Sequence, residues 1–331
     1  MGLWLKWRTS ASISPGSMGR RPFKRGAPPC SDGEPLGSRG FSILGDSIST
    51  LMGLVPDGWR VHYEGEVSVP GISRPEDTWW GRVIAHFDGH LVANSSFSGS
   101  VVEGFGFPAG CSDERIGALV GADGELPDVV LVYMGINDYG WGGGRNQVMG
   151  GSISASARPG DLEGPVEVDP VVGRDALARF ASAYAGTLGK IRAVAPSAEV
   201  WCLTLSPATS PDPERQCYKY RIRGLDLDEY NDAIRVAARD ARAHVADIRG
   251  YGVAYDAVDG CHPSAAGMRQ IADMTIAQME GGDLEAAPAS IAKSPRALRT
   301  CMRSRCDGCP LDESVPSRWT IVCPGPVPAE P

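Results

Sequence analysis

Phe41-Ser42-Ile43-Leu44-Gly45-Asp46-Ser47-Ile48-Ser49-Thr50 is the stretch on which the fold turns. Its apolar run stops abruptly at Gly45, as a strand buried on both faces of a parallel sheet does. Working outward, four more strand-like runs follow, at 90–94, 129–134, 199–205 and 244–248. The run at 129–134 is the clearest, with Pro127 ahead of it and Gly135 behind. Between the runs lie segments with apolar residues three and four apart, at 77–87, 175–194, 226–243 and 264–279. That spacing gives a helix one apolar face. Strands alternating with helices predict a parallel sheet covered on both sides.

The flanks read differently. Residues 1–40 are rich in Gly, Pro, Ser and Arg and show no periodicity, so a disordered basic segment is expected there. The Gly-rich stretch 139–173 reads as a long loop, 281–299 as a small-residue linker and 300–331 as a separate Cys-rich segment. The folded domain is therefore expected over 41–280. A net charge of -8 argues against non-specific nucleic-acid binding. No stretch reaches the roughly 20 apolar residues of a membrane span. Lys6 and Arg8 interrupt Leu3-Trp4-Leu5, so no secretory signal is read and a cytoplasmic location is expected.

Chemistry-bearing residues gather at the ends of the strands. Ser47 follows the first strand directly, and residues 48–55 can begin a helix whose N–H groups would face an anion. A serine there can equally be a helix cap. Asn137, in Gly135-Ile136-Asn137-Asp138, follows the third strand; its amide could donate to an oxyanion or close an Asx-turn. Asn94 to Ser100 follows the second strand, and Gly99 would let the backbone come close to a ligand. Asp259-Gly260-Cys261-His262-Pro263 precedes the last helix. An Asp three residues ahead of a His in a turn can bind Nδ1 and leave Nε2 for a hydroxyl. The other histidines, His62, His86, His90 and His244, have no comparable neighbours and read as structural or solvated.

Taken in order, these blocks resemble the SGNH hydrolases, also called GDSL-like lipases and acylhydrolases, over roughly 41–280. The resemblance implies a three-layer α/β/α sandwich with a five-stranded parallel sheet of flavodoxin-like type. It implies a Ser47, Asp259 and His262 triad, and an oxyanion hole from the backbone of Ser47 and Gly99 with the side chain of Asn137. The expected activity is hydrolysis of carboxylic esters, short-acyl or carbohydrate O-acetyl, on a small-molecule or glycan substrate and without a cofactor. The first block reads Gly-Asp-Ser-Ile where the family name has Gly-Asp-Ser-Leu. An α/β-hydrolase elbow, G-x-S-x-G, is disfavoured because its fifth position here is Ser49. The same triad could serve an acyltransferase.

Nine cysteines make an odd count. Five are scattered and read as small buried residues. Cys301, Cys306, Cys309 and Cys323 cluster at the end, where four thiolates could hold a structural zinc. An iron–sulfur cluster or two disulfides would use the same residues. A non-catalytic module binding through this segment is the alternative from a different class.

Overall fold

The computed structural model describes residues 38–66, 68–104, 106–140, 173–209, 221–222, 225–295 and 297. Five parallel strands form one sheet: β1 (Gly40–Gly45), β2 (His90–Ser96), β3 (Val129–Tyr133), β4 (Glu199–Leu203) and β5 (His244–Ala246). Their order is β2-β1-β3-β4-β5. From β1 the chain moves to one neighbour, then crosses to the other side for β3. Right-handed crossovers place helices on opposite faces when the direction reverses in this way. The helices are α1 (Trp79–His86), α2 (Asp113–Gly117), α3 (Ile136–Gly140), α4 (Gly173–Val194), α5 (Leu227–Asp240) and α6 (Ala265–Met279). Helix α1 packs on α6, while α4 packs on α5 and α2. The result is a three-layer α/β/α sandwich.

Burial explains the sequence pattern. Every residue of β1 and β3 is buried, so these central strands lack the polar alternation of a half-exposed sheet. Phe180, Tyr184, Leu188 and Ile191, spaced as one face of α4, are all buried. Tyr230, Ile234 and Ala238 do the same for α5.

Register then sets up the site. Gly45 lies opposite Ser96 on one side and Tyr133 on the other. The C-terminal ends of three strands are therefore level, and the residues that follow them emerge on one edge. Open α/β sheets bind ligands at this edge, where the strand order reverses.

Two expectations need correction. No helix runs over 48–55: a single 3-10 turn, Ser47–Ser49, is all that forms. Gly53 takes a positive φ of 79° and Pro56 follows, so the chain turns away before a helical turn can close. The stretch read as a linker is anchored to the domain at its C-terminal end, where Ile291 and Ala297 are buried while most of its other described residues are exposed. Ile291 is 2% exposed, the Pro295 carbonyl accepts from Ala254 N–H at 2.9 Å, and the Ala297 carbonyl accepts from Arg249 at 2.8 Å. Small residues there lie close against the domain rather than leaving it. Residues 1–37 of the segment read as the basic N-terminus, most of the Gly-rich loop and the Cys-rich C-terminus lie outside the described residues, as do Cys30 and Cys217, while Gly40 already belongs to β1. Cys202 and Cys261 are buried, Cys111 is partly buried, and all three are free thiols.

Candidate active site

Ser47 starts the 3-10 turn that leaves β1, capped by the Asp46 carboxylate, which accepts from Ile48 N–H at 3.0 Å. Ser49 anchors the turn: its carbonyl accepts from Trp80 Nε1 at 2.9 Å and Asn94 Nδ2 at 3.0 Å, and its hydroxyl from Trp79 Nε1 at 3.2 Å. The two tryptophans of α1 thus hold the serine block in place. Asp46 is buried, and burial pushes its carboxyl up to about 6, against the opposing pull of the Ile48 N–H, His262 and Arg115.

His262 comes from the turn before α6. Its Nε2 is 2.9 Å from Ser47 Oγ and its Nδ1 is 2.6 Å from Asp259 Oδ2. The other Asp259 oxygen accepts from the N–H groups of Cys261 and His262 at 2.9 and 2.7 Å. Burial pulls the Asp259 carboxyl upward, but the hydrogen bond and charge of His262 outweigh it and hold it down at about 2. Tyr255 donates to the Cys261 carbonyl at 2.6 Å and Tyr63 to the Pro263 carbonyl at 2.9 Å, bracketing the histidine. The serine is thus joined to an imidazole, and the imidazole to a carboxylate.

Groups able to donate to a negative charge follow the same strand ends. Asn137 is buried, and its Nδ2 gives one hydrogen to the Ser100 carbonyl at 2.9 Å, leaving the second hydrogen. Asp138 accepts from Val102 N–H at 2.9 Å, so α3 steadies the loop that carries Gly99. Gly99 has φ of 82°. Neither its N–H nor that of Ser47 donates to a carbonyl or side chain among the described residues.

Beneath this loop lies a fully buried cation. Arg115 donates to the Gly45 carbonyl at 2.6 Å, the Pro108 carbonyl at 2.7 Å, the Ser95 carbonyl at 2.8 Å and the Ser100 hydroxyl at 3.0 Å. One guanidinium therefore ties the ends of β1 and β2 to the Gly99 loop. Burial lowers it to about 9, with the charge of Asp46 pulling the other way. Nothing in the local sequence of α2, Asp-Glu-Arg-Ile-Gly, marks this arginine as buried.

Sequence reasoning also missed His62. Its ring stacks on His262, centroids 3.5 Å apart and planes 10° from parallel. Its Nε2 is buried with no hydrogen-bond partner among the described residues. Burial, then the charge of His262, pushes His62 down to about 4. His62 lies 200 residues from that partner in the chain, which no local pattern reveals. His86 and His90, by contrast, pair with Glu280 and Glu125 near the surface, and His244 stacks on Trp201. His62, Asp259 and His262 bring potential metal ligands within 4.8 Å of one another. Parallel rings 3.5 Å apart have no common point in both planes, however. Their in-plane lone pairs cannot converge on one ion without a ring turning, so this trio fits a hydrogen-bonded relay and not a metal centre.

Comparison with known proteins gives the family. The GDSL-like Lipase/Acylhydrolase family matches residues 43–270. The chain belongs to that family. It is accordingly a carboxylic ester hydrolase, and the serine chemistry of this family needs no cofactor. Among solved structures, a GDSL-like lipase from Bacteroides uniformis is 25% identical, covering 73% of this chain and 95% of its own, with a TM-score of 0.46. One from Bacteroides ovatus is 22% identical, covering 74% and 99%, with a TM-score of 0.49. Est24, a carbohydrate acetylesterase from Sinorhizobium meliloti, is 16% identical, covering 74% and 98%, with a TM-score of 0.43. No curated protein matches the chain. No helix among the described residues is long and apolar enough to cross a membrane.

Proposed function

We propose that the protein hydrolyses short-acyl carboxylic esters, carbohydrate O-acetyl groups among them, through an acyl-enzyme on Ser47. The carrying observation is the relay from Ser47 Oγ to His262 Nε2 at 2.9 Å and from His262 Nδ1 to Asp259 at 2.6 Å. His262 takes the hydroxyl proton as Ser47 Oγ attacks the ester carbonyl. Asp259, held ionised, keeps Nδ1 protonated and stabilises the imidazolium. The backbone N–H groups of Ser47 and Gly99 and the second hydrogen of Asn137 receive the oxyanion. His262 then protonates the departing alcohol and activates water against the acyl-enzyme. Ser47 is only 4% exposed, which favours a small acyl group.

The test is hydrolysis of p-nitrophenyl acetate by wild type and Ser47→Ala, with fluorophosphonate labelling of Ser47. An active wild type with an inactive alanine variant is expected. Full activity in Ser47→Ala, or labelling at another serine, would overturn the assignment. Adding a sugar acceptor and analysing products distinguishes transfer from hydrolysis.

For the C-terminal cysteines 301, 306, 309 and 323 we propose one structural zinc, supported by the C-x2-C step and the shortness of the segment that carries them. Metal analysis of the purified protein should find about one zinc per chain; zinc-free protein with disulfides would refute this.

A further inference from the structure

Arg60 lies beside the Gly99 loop, and no carboxylate among the described residues pairs with it. The Arg60 carbonyl accepts from Ser98 N–H at 2.9 Å, so its backbone is fixed to the loop. The neighbouring Trp59 packs against Phe97 and Phe107, with centroids 6.1 and 5.1 Å away. The base of the Arg60 side chain is therefore held rigidly. Its guanidinium reaches over Gly99: a Cβ built on that glycine would have Arg60 Nη1 at 3.9 Å as its only neighbour within 4 Å. Among the described residues no other atom comes within 4 Å of that position. Arg60 is only partly exposed, yet its side chain makes no hydrogen bond or ion pair among the described residues.

The chain is acidic overall, with 40 Asp and Glu against 32 Lys and Arg, so carboxylates to pair a surface arginine are plentiful. Other arginines find them: Arg74 pairs with Asp77, Arg235 with Asp247 and Arg249 with Asp228. Arg60 has no such partner among the described residues, and its guanidinium stands beside Gly99, the glycine proposed above to donate to the oxyanion. On the inner side of the same loop, Arg115 adds a second positive charge, 5.4 Å from the Trp59 ring. The acids of the site are already engaged, Asp259 with His262, Asp46 with Ile48 N–H and Asp138 with Val102 N–H. Over Gly99 the Arg60 guanidinium thus offers a planar, five-hydrogen donor set that no described residue engages. A carboxylate is the group whose geometry that fork matches.

We propose that Arg60 is a specificity-determining residue that binds an anionic group, a carboxylate in the first instance, on the ester substrate. The inference deepens the esterase reading above and rests on it. The carboxylate could belong to the acyl part, as in a hemisuccinate, or to the alcohol part, as in an acetylated uronic acid. The chemistry that recognises it is the same.

The test compares kcat/KM for matched anionic and neutral esters in wild type, Arg60→Met and Arg60→Lys. One arm uses mono-p-nitrophenyl succinate against p-nitrophenyl butyrate. The other uses 4-acetoxybenzoate against 4-acetoxybenzamide. Each ratio is taken within one preparation, so a partly inactive variant cancels out. Arg60→Met should lower the anionic-to-neutral ratio by about tenfold in one arm, the expected size for a charge-assisted hydrogen bond weakened by solvent. Arg60→Lys should recover part of it, and added salt should reduce the wild-type ratio. The arm that responds shows which side of the ester carries the charge. An unchanged ratio in both arms, or equal losses on charged and neutral esters, would overturn the proposal. If wild type cleaves all four esters and Ser47→Ala none, that failure falls on Arg60 alone. If Ser47→Ala cleaves as well as wild type, the esterase assignment itself has failed.

Discussion

Replacing His62 by phenylalanine should make the protein more stable, and increasingly so as the pH falls. The ring stacked on His262 would be kept, since a phenyl group preserves the parallel contact at 3.5 Å. The buried Nε2, which has no partner among the described residues, would be gone. A buried polar atom left unpaired costs about 1–3 kcal/mol, so a gain of about 1 kcal/mol is expected at pH 7 after allowing for the larger ring. The pH dependence follows from the fall of the His62 pKa from 6.5 to about 4. Between those values the unfolded chain binds a proton that the folded protein excludes. Stability is therefore lost as pH falls from 6.5 towards 4. At about 1.36 kcal/mol per pH unit the full gap is about 3.4 kcal/mol, which solvent screening at this partly exposed ring reduces to about 2 kcal/mol. The phenylalanine variant would escape this loss. Asp46, raised to about 6, and Asp259, lowered to about 2, titrate in both proteins and cancel in the difference. Urea unfolding of wild type and His62→Phe at about pH 7, 5.5 and 4 measures it. A stability difference that stays constant across this range would refute the reasoning, as would a variant less stable than wild type at neutral pH.

Asn137→Ala should lower kcat by about 10²–10³-fold with little change in KM, because its free hydrogen meets charge only in the transition state; steady-state kinetics on a short-chain ester decides it. Arg115→Met should cost about 3 kcal/mol or more in urea unfolding, since the Pro108, Ser95 and Gly45 carbonyls lose a buried donor together; a loss under about 1 kcal/mol would show that water replaces it. Two glycines should separate steric from conformational cost. A Cβ on Gly45 would lie 2.7 Å from Ser96 Oγ and closer still to Ser49, so Gly45→Ala should lose most of the activity as the serine turn shifts. Gly99→Ala meets only Arg60 Nη1 at an ordinary contact distance of 3.9 Å among the described residues, so its φ of 82° is what opposes it, at about 1–2 kcal/mol, which thermal unfolding can resolve.

The sheet was legible because its strands are buried on both faces and so announce themselves as unbroken apolar runs, β1 and β3 above all. The residues placed at the strand ends could be picked out for a related reason: strand, turn and glycine together mark where a side chain leaves the sheet. Ser47, Asn137 and the Asp259-His262 pair carry such local signatures, and the structure brings them to one edge. Arg115, His62 and Arg60 carry none. Arg115 and His62 gain their partners from elements distant in sequence, and Arg60 its place beside Gly99, so only the packed tertiary structure reveals them. The expected helix after Ser47 failed for a local reason that can be read in hindsight, since Gly53 and Pro56 both oppose it.

The hydrogen bond between Ser47 and His262 spans 215 residues of chain. During synthesis the serine leaves the ribosome early, but its base is made only after every strand of the sheet. On the proposed mechanism, the Ser47 hydroxyl lacks its base until α6 docks on α1. Turnover of an ester therefore reports that the last layer has closed. An N-terminal fragment, however well it forms β1 to β3, is chemically silent.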